Sequence, residues 1–297
     1  MKYRTDLAIE SKELFEEEKK RKKTEIPGVE VDEDQYGEGI KVTRIKVTDE
    51  YGSKAMGKPI GSYITIEVKD LVDGEEEIKI EAAKAFASEL AKLVQFHYKL
   101  KVLVIGLGNE KVTPDALGPV TVSKVKVTRH IFLYYGAEGD EQVGCVSALM
   151  PGVMATTGME TAELIRGAVD IAKPEVVIAV DALAARNVDR ISTTIQITDT
   201  GISPGSGTGN MRKDLTEKSL GTKVIAIGVP TVIDSKTLIL DSLGGLLKSP
   251  QKALEHFEKN GESMIVTTSD IDQVIFDFSE VIANGINSTL HPGIYSS

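Results

Sequence analysis

Two aspartates have the same local setting. Asp115 follows the apolar run 101–106 and a glycine turn, in Thr113-Pro114-Asp115-Ala116-Leu117-Gly118. Asp181 follows the apolar run 175–180, in Asp181-Ala182-Leu183-Ala184-Ala185-Arg186. If both runs are parallel strands of one sheet, the acids emerge at the same edge, where open α/β sheets bind ligands. Carboxylates brought together cannot both ionise cheaply, so such a pair shares a proton and titrates as a unit. The ionised member can activate water while the protonated member polarises a carbonyl, which suits amide hydrolysis. Spacing alone leaves a second reading open, in which each acid caps its own helix. Thr113 and Pro114 are good N-cap and first-turn residues, and the helix dipole would favour Asp115 in that first turn.

Other patterns carry less chemistry. Gly106-Leu107-Gly108 opens like a dinucleotide fingerprint, but Lys111 occupies the third glycine position. Gly201-Ile202-Ser203-Pro204-Gly205 has the letters of a nucleophile elbow, yet Pro204 has no N–H to donate to an oxyanion. Asp199-Thr200-Gly201 matches the triplet of pepsin-like proteases, which need two copies where this chain has one. Asp199 is expected instead to organise the loop after it. In that loop Gly205, Ser206, Gly207 and Asn210 are candidate contacts for a substrate backbone or an anion, since glycine allows close approach. An equally open reading makes the loop a structural turn. His97, His130, His256 and His291 are scattered, and Cys145 stands alone as an expected inert buried residue.

The elements that must position these acids follow from periodicity. Residues 40–48 and 62–69 alternate as a pair of strands, and 75–98 read as a helix with Ala85, Leu90, Leu93 and Val94 on its apolar stripe. Strands are expected at 101–106, 142–149, 175–180, 190–198 and 224–229, and helices at 234–248 and 270–289. Thr157-Gly-Met-Glu160 has capping-box spacing ahead of a helix through about Ile171. Residues 120–127 fit either a strand or a short helix. The block Glu16–Lys23 reads as a solvated helix face or an arm, and Thr5–Glu10 as a short extended peptide. The fold class is therefore α/β, with a mainly parallel or mixed central sheet, helices on both faces and an accessory β region at 40–70.

Bulk properties exclude several classes. The 297 residues carry 41 % hydrophobic and 27 % charged side chains, enough for a large core. A net charge of −10 opposes steering toward nucleic acid. No apolar run reaches the roughly 20 residues of a membrane span, and no apolar h-region comes after the first residues. One cysteine excludes an internal disulfide, and no Cys/His cluster has zinc spacing. An intracellular protein without membrane or cofactor is the expectation.

Gly106–Pro119, Met150–Met154, Asp181–Arg186 and Gly205–Asn210 together closely resemble the spore germination protease family, from residue 4 to about 240 and again in the last helix. The resemblance implies an unusual aspartic-type endopeptidase with Asp115 and Asp181 as its catalytic pair. It implies a homotetrameric zymogen in the forespore or spore core that removes its own propeptide, residues 1–6. The remainder, 7–297, would form a single α/β peptidase domain. The implied substrates are small acid-soluble spore proteins, cut within a Thr-Glu-(Phe/Ile)-Ala-Ser-Glu type sequence. Thr5-Asp6-Leu7-Ala8-Ile9-Glu10 looks like a copy of it, which places the self-cleavage between Asp6 and Leu7. The family's fold is similar to that of hydrogenase maturation peptidases, where acids at comparable places bind nickel. No third histidine ligand is evident here, so no metal is expected. The segment 247–262 is shorter than the family leads one to expect. Two alternatives are a metal-dependent maturation peptidase and a non-catalytic nucleotide- or anion-binding module on loops 106–110 and 205–210.

Overall fold

The two apolar runs that precede the aspartates lie side by side at the centre of one sheet. The computed structural model describes residues 5–18, 26–72, 74–135, 141–205, 213–243 and 264–295. Among them nine strands pair: β1 (Val29–Tyr36), β2 (Ile40–Val47), β3 (Gly61–Val68), β4 (Lys101–Gly106), β5 (Cys145–Leu149), β6 (Val176–Ala185), β7 (Thr194–Thr198), β8 (Lys223–Asp234) and β9 (Ile265–Val266). Their order is β1-β2-β3-β7-β8-β6-β4-β5, with β9 against β8. The block β5-β4-β6-β8 is parallel, and β7, β3, β2 and β1 extend it by antiparallel pairing. The sheet is thus mixed.

Strands buried on both faces need apolar residues at successive positions, which is what β4 and β6 supply. Val102, Val104, Ile178 and Val180 face a core with Phe86 and Leu90 of α3 (Glu76–Leu93) and Phe278 and Ile282 of the C-terminal helix Ile271–Leu290. Leu103, Ile105, Val177 and Ala179 face the opposite way, against Ile165 of α7 (Thr161–Ala172) and Leu220 of α8 (Glu217–Leu220). Helices therefore cover both faces. Each fully buried Phe, Ile or Leu side chain contributes about 1.5–3 kcal/mol. A third cluster packs Leu7, Ala8 and Ile9 against Ile45, Leu183 and Ala185.

Several expectations shift. Residues 8–18 form α1 (Ala8–Glu18), so the extended peptide is confined to Thr5, Asp6 and Leu7. Strand β1 was not anticipated: it is an edge strand whose Glu and Asp side chains stay in water, so it lacks an apolar alternation. Residues 117–123 settle as the helix α4 (Leu117–Ser123), with α5 (Arg129–Tyr135) after it. The capping-box reading at Thr157 fails. Gly158, at φ 71, ends the short helix α6 (Met154–Thr157), and α7 starts from Glu160 without a side-chain cap. The charge block beyond Glu18, residues 206–212 and the 247–262 segment lie outside the described residues.

Candidate active site

Asp115 is placed by backbone packing rather than by a helix cap. It ends a 3-10 turn, Thr113–Asp115, whose preceding residue Val112 makes no side-chain cap, and α4 begins only at Leu117. The expected placement of Asp115 in a first turn that contains Pro114 holds, but the turn is 3-10 and Val112 rather than Thr113 stands at its N-cap. Close approach of the main chain supplies the support that a side-chain cap does not. Gly108 has φ 107, and a methyl group there would lie 2.0 Å from the Asp115 carbonyl oxygen. A methyl on Gly118 would meet the Leu107 carbonyl oxygen at 2.2 Å and that of Val180 at 2.5 Å. Only glycine lets this turn fold onto the ends of β4 and β6. The Asn109 N–H donates to the Asp115 carbonyl (3.0 Å), and the buried Thr231 hydroxyl of β8 donates to the Pro114 carbonyl (2.7 Å).

The same bonds bear on the anion-binding alternative. Leu107 N–H donates to Val180, Asn109 N–H to Asp115 and Lys111 N–H to the Asn109 side chain. These donors of the glycine turn serve the chain itself, not a phosphate.

Asp181 lies inside β6, not at its end, because the strand continues to Ala185 alongside β8 with a register shift after Leu183. It is 5 % exposed, and among the described residues its carboxylate accepts one hydrogen bond, from the Ala182 N–H (2.9 Å). Burial raises its pKa well above the ordinary 3.8; the Asp115 carboxylate adds to the rise and Asp6 adds less, against the opposing Ala182 bond. Both acids line a cleft of about 670 Å³, together with Asp6, Lys58, Gln196 and Thr231.

Asp6 joins the lining of this cleft from the N-terminal segment. Asp6 pairs with β6: its N–H donates to the Ala184 carbonyl (3.0 Å), and its carboxylate accepts from the Ala184 N–H (2.9 Å). Leu7 and Ala8 are fully buried. The Glu10 carboxylate, also fully buried, accepts from the Arg186 and Asn187 N–H groups (2.8 Å each) and from the Thr5 hydroxyl. Burial raises the Glu10 pKa, and those three bonds oppose the rise.

The cleft thus brings together Asp115, Asp181 and Asp6 of the sequence-derived set, with Gly205 also in its lining, while Leu7 is buried in the cluster with Leu183 and Ala185. Ser206, Gly207 and Asn210 lie outside the described residues. Among the described residues the Asp199 carboxylate accepts from the Ser62 N–H at the start of β3 (2.7 Å). Lys58, Gln196 and Thr231 were not singled out from the sequence. Their partners lie 52, 190 and 117 positions away, so no local spacing signals them. Among the described residues no three His, Cys, Asp or Glu side chains gather as a metal site would need. No described helix is long and apolar enough to cross a membrane.

Comparison with known proteins agrees in one direction. The family model described as "Germination protease" matches residues 8–260. A germination protease of Caldanaerobacter subterraneus subsp. tengcongensis is 46 % identical, over 98 % of this chain and 95 % of that protein. One from Clostridium tetani is 42 % identical, over 99 % and 97 % respectively. Among solved structures, a NiFe hydrogenase maturation protease, HycI, from Thermococcus kodakarensis KOD1 covers 67 % of this chain and 98 % of its own, at 15 % identity and a TM-score of 0.35. That overlap is too loose to carry an argument. Matches of this length and identity to the curated proteins show that the chain belongs to the germination protease family, and so is a peptidase.

Proposed function

We propose that the protein is a self-processing, aspartic-type endopeptidase that cuts its own Asp6–Leu7 bond and then degrades small acid-soluble spore proteins during germination. In this reading residues 1–6 are a propeptide, 7–297 the peptidase domain, and the enzyme works as a homotetramer in the spore core. One observation carries it: Asp6, in the Thr5–Glu10 segment that resembles the substrate sequence, lines the cleft that holds both aspartates and is paired to the strand that bears Asp181.

The chemistry follows from the environments of the two acids. Burial and the neighbouring charge keep the shared proton on Asp181. Asp115, half-buried at the cleft wall, is the ionised member and takes a proton from water as the water adds to the Asp6 carbonyl carbon. Asp181 then gives its proton to the departing nitrogen of Leu7.

Mass spectrometry of the purified full chain after mild acid incubation tests this. The wild type should lose residues 1–6 and cut a Thr-Glu-Ile-Ala-Ser-Glu peptide. Asp115→Asn and Asp181→Asn should do neither, and retained processing in either variant overturns the assignment. Sedimentation of the wild type tests the tetramer separately.

A further inference from the structure

With Asp115 on the water and the Asp181 proton committed to the leaving nitrogen, the carbonyl oxygen still needs stabilisation as it gains charge. We propose that Lys58 and Gln196 are the oxyanion-stabilising residues for the Asp6–Leu7 bond and for the equivalent bond of a protein substrate. The proposal rests on the reading that this bond is cut with Asp115 and Asp181 acting on water.

The geometry is already assembled in the uncut chain. The Asp6 carbonyl oxygen accepts from the Lys58 ammonium at 2.8 Å and from the Gln196 side-chain amide at 3.2 Å. The Gln196 carbonyl oxygen in turn accepts from the Ala8 N–H at 2.7 Å, so one side chain grips the main chain on both sides of Leu7. That second bond fixes which end of the amide points at the Asp6 oxygen, because Ala8 offers only a donor. Gln196 is rigidly presented: it is 6 % exposed and sits within β7, paired to Thr65 of β3 and Gly228 of β8. Lys58 comes from the other side of the cleft, just after Gly57 ends the helix α2 (Glu50–Met56) in a left-handed turn, φ 61. Its ammonium also lies 3.4 Å from the Thr5 carbonyl oxygen.

During attack the water oxygen bonds to the Asp6 carbonyl carbon and the water proton passes to Asp115. The carbonyl π electrons move onto the oxygen, which becomes an alkoxide between the ammonium and the amide. Reforming C=O breaks the C–N bond, and the electron pair goes to the Leu7 nitrogen with the Asp181 proton. Proton exchange within the aspartate pair restores the starting state. Donors fixed in place before the charge develops stabilise the transition state more than the ground state. Burial lowers the Lys58 pKa, while the Asp6 and Glu10 carboxylates favour its charged form.

The test measures two quantities on the uncut full chain: the first-order rate of loss of residues 1–6, by intact mass, and amide-exchange protection across residues 5–12. Lys58→Met should slow processing about 100-fold, the scale for losing one oxyanion donor, with the segment's protection unchanged. Lys58→Arg, which keeps a charged donor, should recover at least about tenfold of that loss, and Gln196→Met should slow processing about tenfold or more. A wild-type rate in Lys58→Met overturns the proposal. So does a slow rate accompanied by loss of protection, since Lys58 would then merely anchor the segment. Should Lys58→Met fail to fold, Gln196→Met is held to the same two criteria, and a wild-type rate in it overturns the proposal. Asp115→Asn runs beside them: an active Asp115→Asn refutes the aspartate reading itself, whereas an inert Asp115→Asn with a fully active Lys58→Met refutes only the oxyanion assignment.

Discussion

Replacing Asp181 by Asn should make the protein more stable above neutral pH, and the gain should vanish in acid. The buried Asp181 carboxylate accepts from the Ala182 N–H and shares its cleft with Asp115 and Asp6. Its ionised form is disfavoured in the fold by lost hydration and by the adjacent negative charge. Asn keeps an oxygen for Ala182 and turns an N–H group toward the Asp115 carboxylate, so the repulsion is replaced by an attraction. Relief of one strained functional group of this kind is worth about 1–2 kcal/mol at pH 8.

The pH dependence gives the prediction its sign. Because the folded pKa of Asp181 lies above the ordinary 3.8, the folded chain binds this proton more tightly than the unfolded chain. The group's contribution to wild-type stability is therefore full below 3.8 and is lost as pH rises through the raised folded value. Asn does not titrate. The gap between variant and wild type should open across that window and then stay constant. Urea unfolding of both proteins between pH 4 and 8 reads it directly, over times short enough that intact mass finds neither chain cut, and titrating groups distant from Asp115, Asp6 and Asp181 cancel in the difference. A gap independent of pH, or a wild type that is the more stable protein at pH 8, would refute the account of Asp181 as the proton-holding acid.

Three further perturbations test the framework around the acids. Gly118→Ala places a methyl against the Leu107 and Val180 main chain; it should cost about 1–3 kcal/mol in urea unfolding, and an unchanged midpoint would contradict the close approach. Thr231→Val removes the donor to the Pro114 carbonyl, and loosening the Asp115 turn should slow self-cleavage by about tenfold to a hundredfold while stability falls by only about 1 kcal/mol. Glu10→Gln turns an N–H group toward one of the two N–H donors of Arg186 and Asn187; faster amide exchange in residues 5–10 and slower self-cleavage should result, from a docking loss of about 1–3 kcal/mol.

The two acids are legible in the sequence because both come after long apolar runs, and a parallel strand buried on both faces has no other way to look. The residues flanking each acid are less informative. Thr113 and Pro114 do start a turn, but it is 3-10, and it is held by the close approach of Gly108 to Asp115 and of Gly118 to Leu107 and Val180, which local propensity cannot see. Ala182-Leu183-Ala184-Ala185 has no strand signature of its own, and it extends β6 only because β8 runs beside it. Glu30, Asp32 and Asp34 hid β1 for the opposite reason, since an edge strand facing water needs no apolar stripe. Lys58 and Gln196 left no trace because their role is set by the placement of residues 5–8, which is a tertiary fact.

The extension of β6 past Asp181 is also what joins the acid to its target. Had the strand stopped at Asp181, the carboxylate would open onto a loop with no fixed geometry for a peptide. Continuing to Ala185, the strand presents the Ala184 N–H and carbonyl to Asp6, and just past its end the Arg186 and Asn187 N–H groups take the Glu10 carboxylate. One segment of chain thereby carries the acid and sets the register of the peptide laid against it. A rigid element fixes such distances better than a loop does. Any peptide that pairs with Ala184 as Asp6 does is delivered with its carbonyl toward Lys58 and Gln196. In the proposed reading, specificity for an acid before the cut bond and another four residues after it comes from main-chain donors of β6 and of the residues just beyond it, which among substitutions only proline removes.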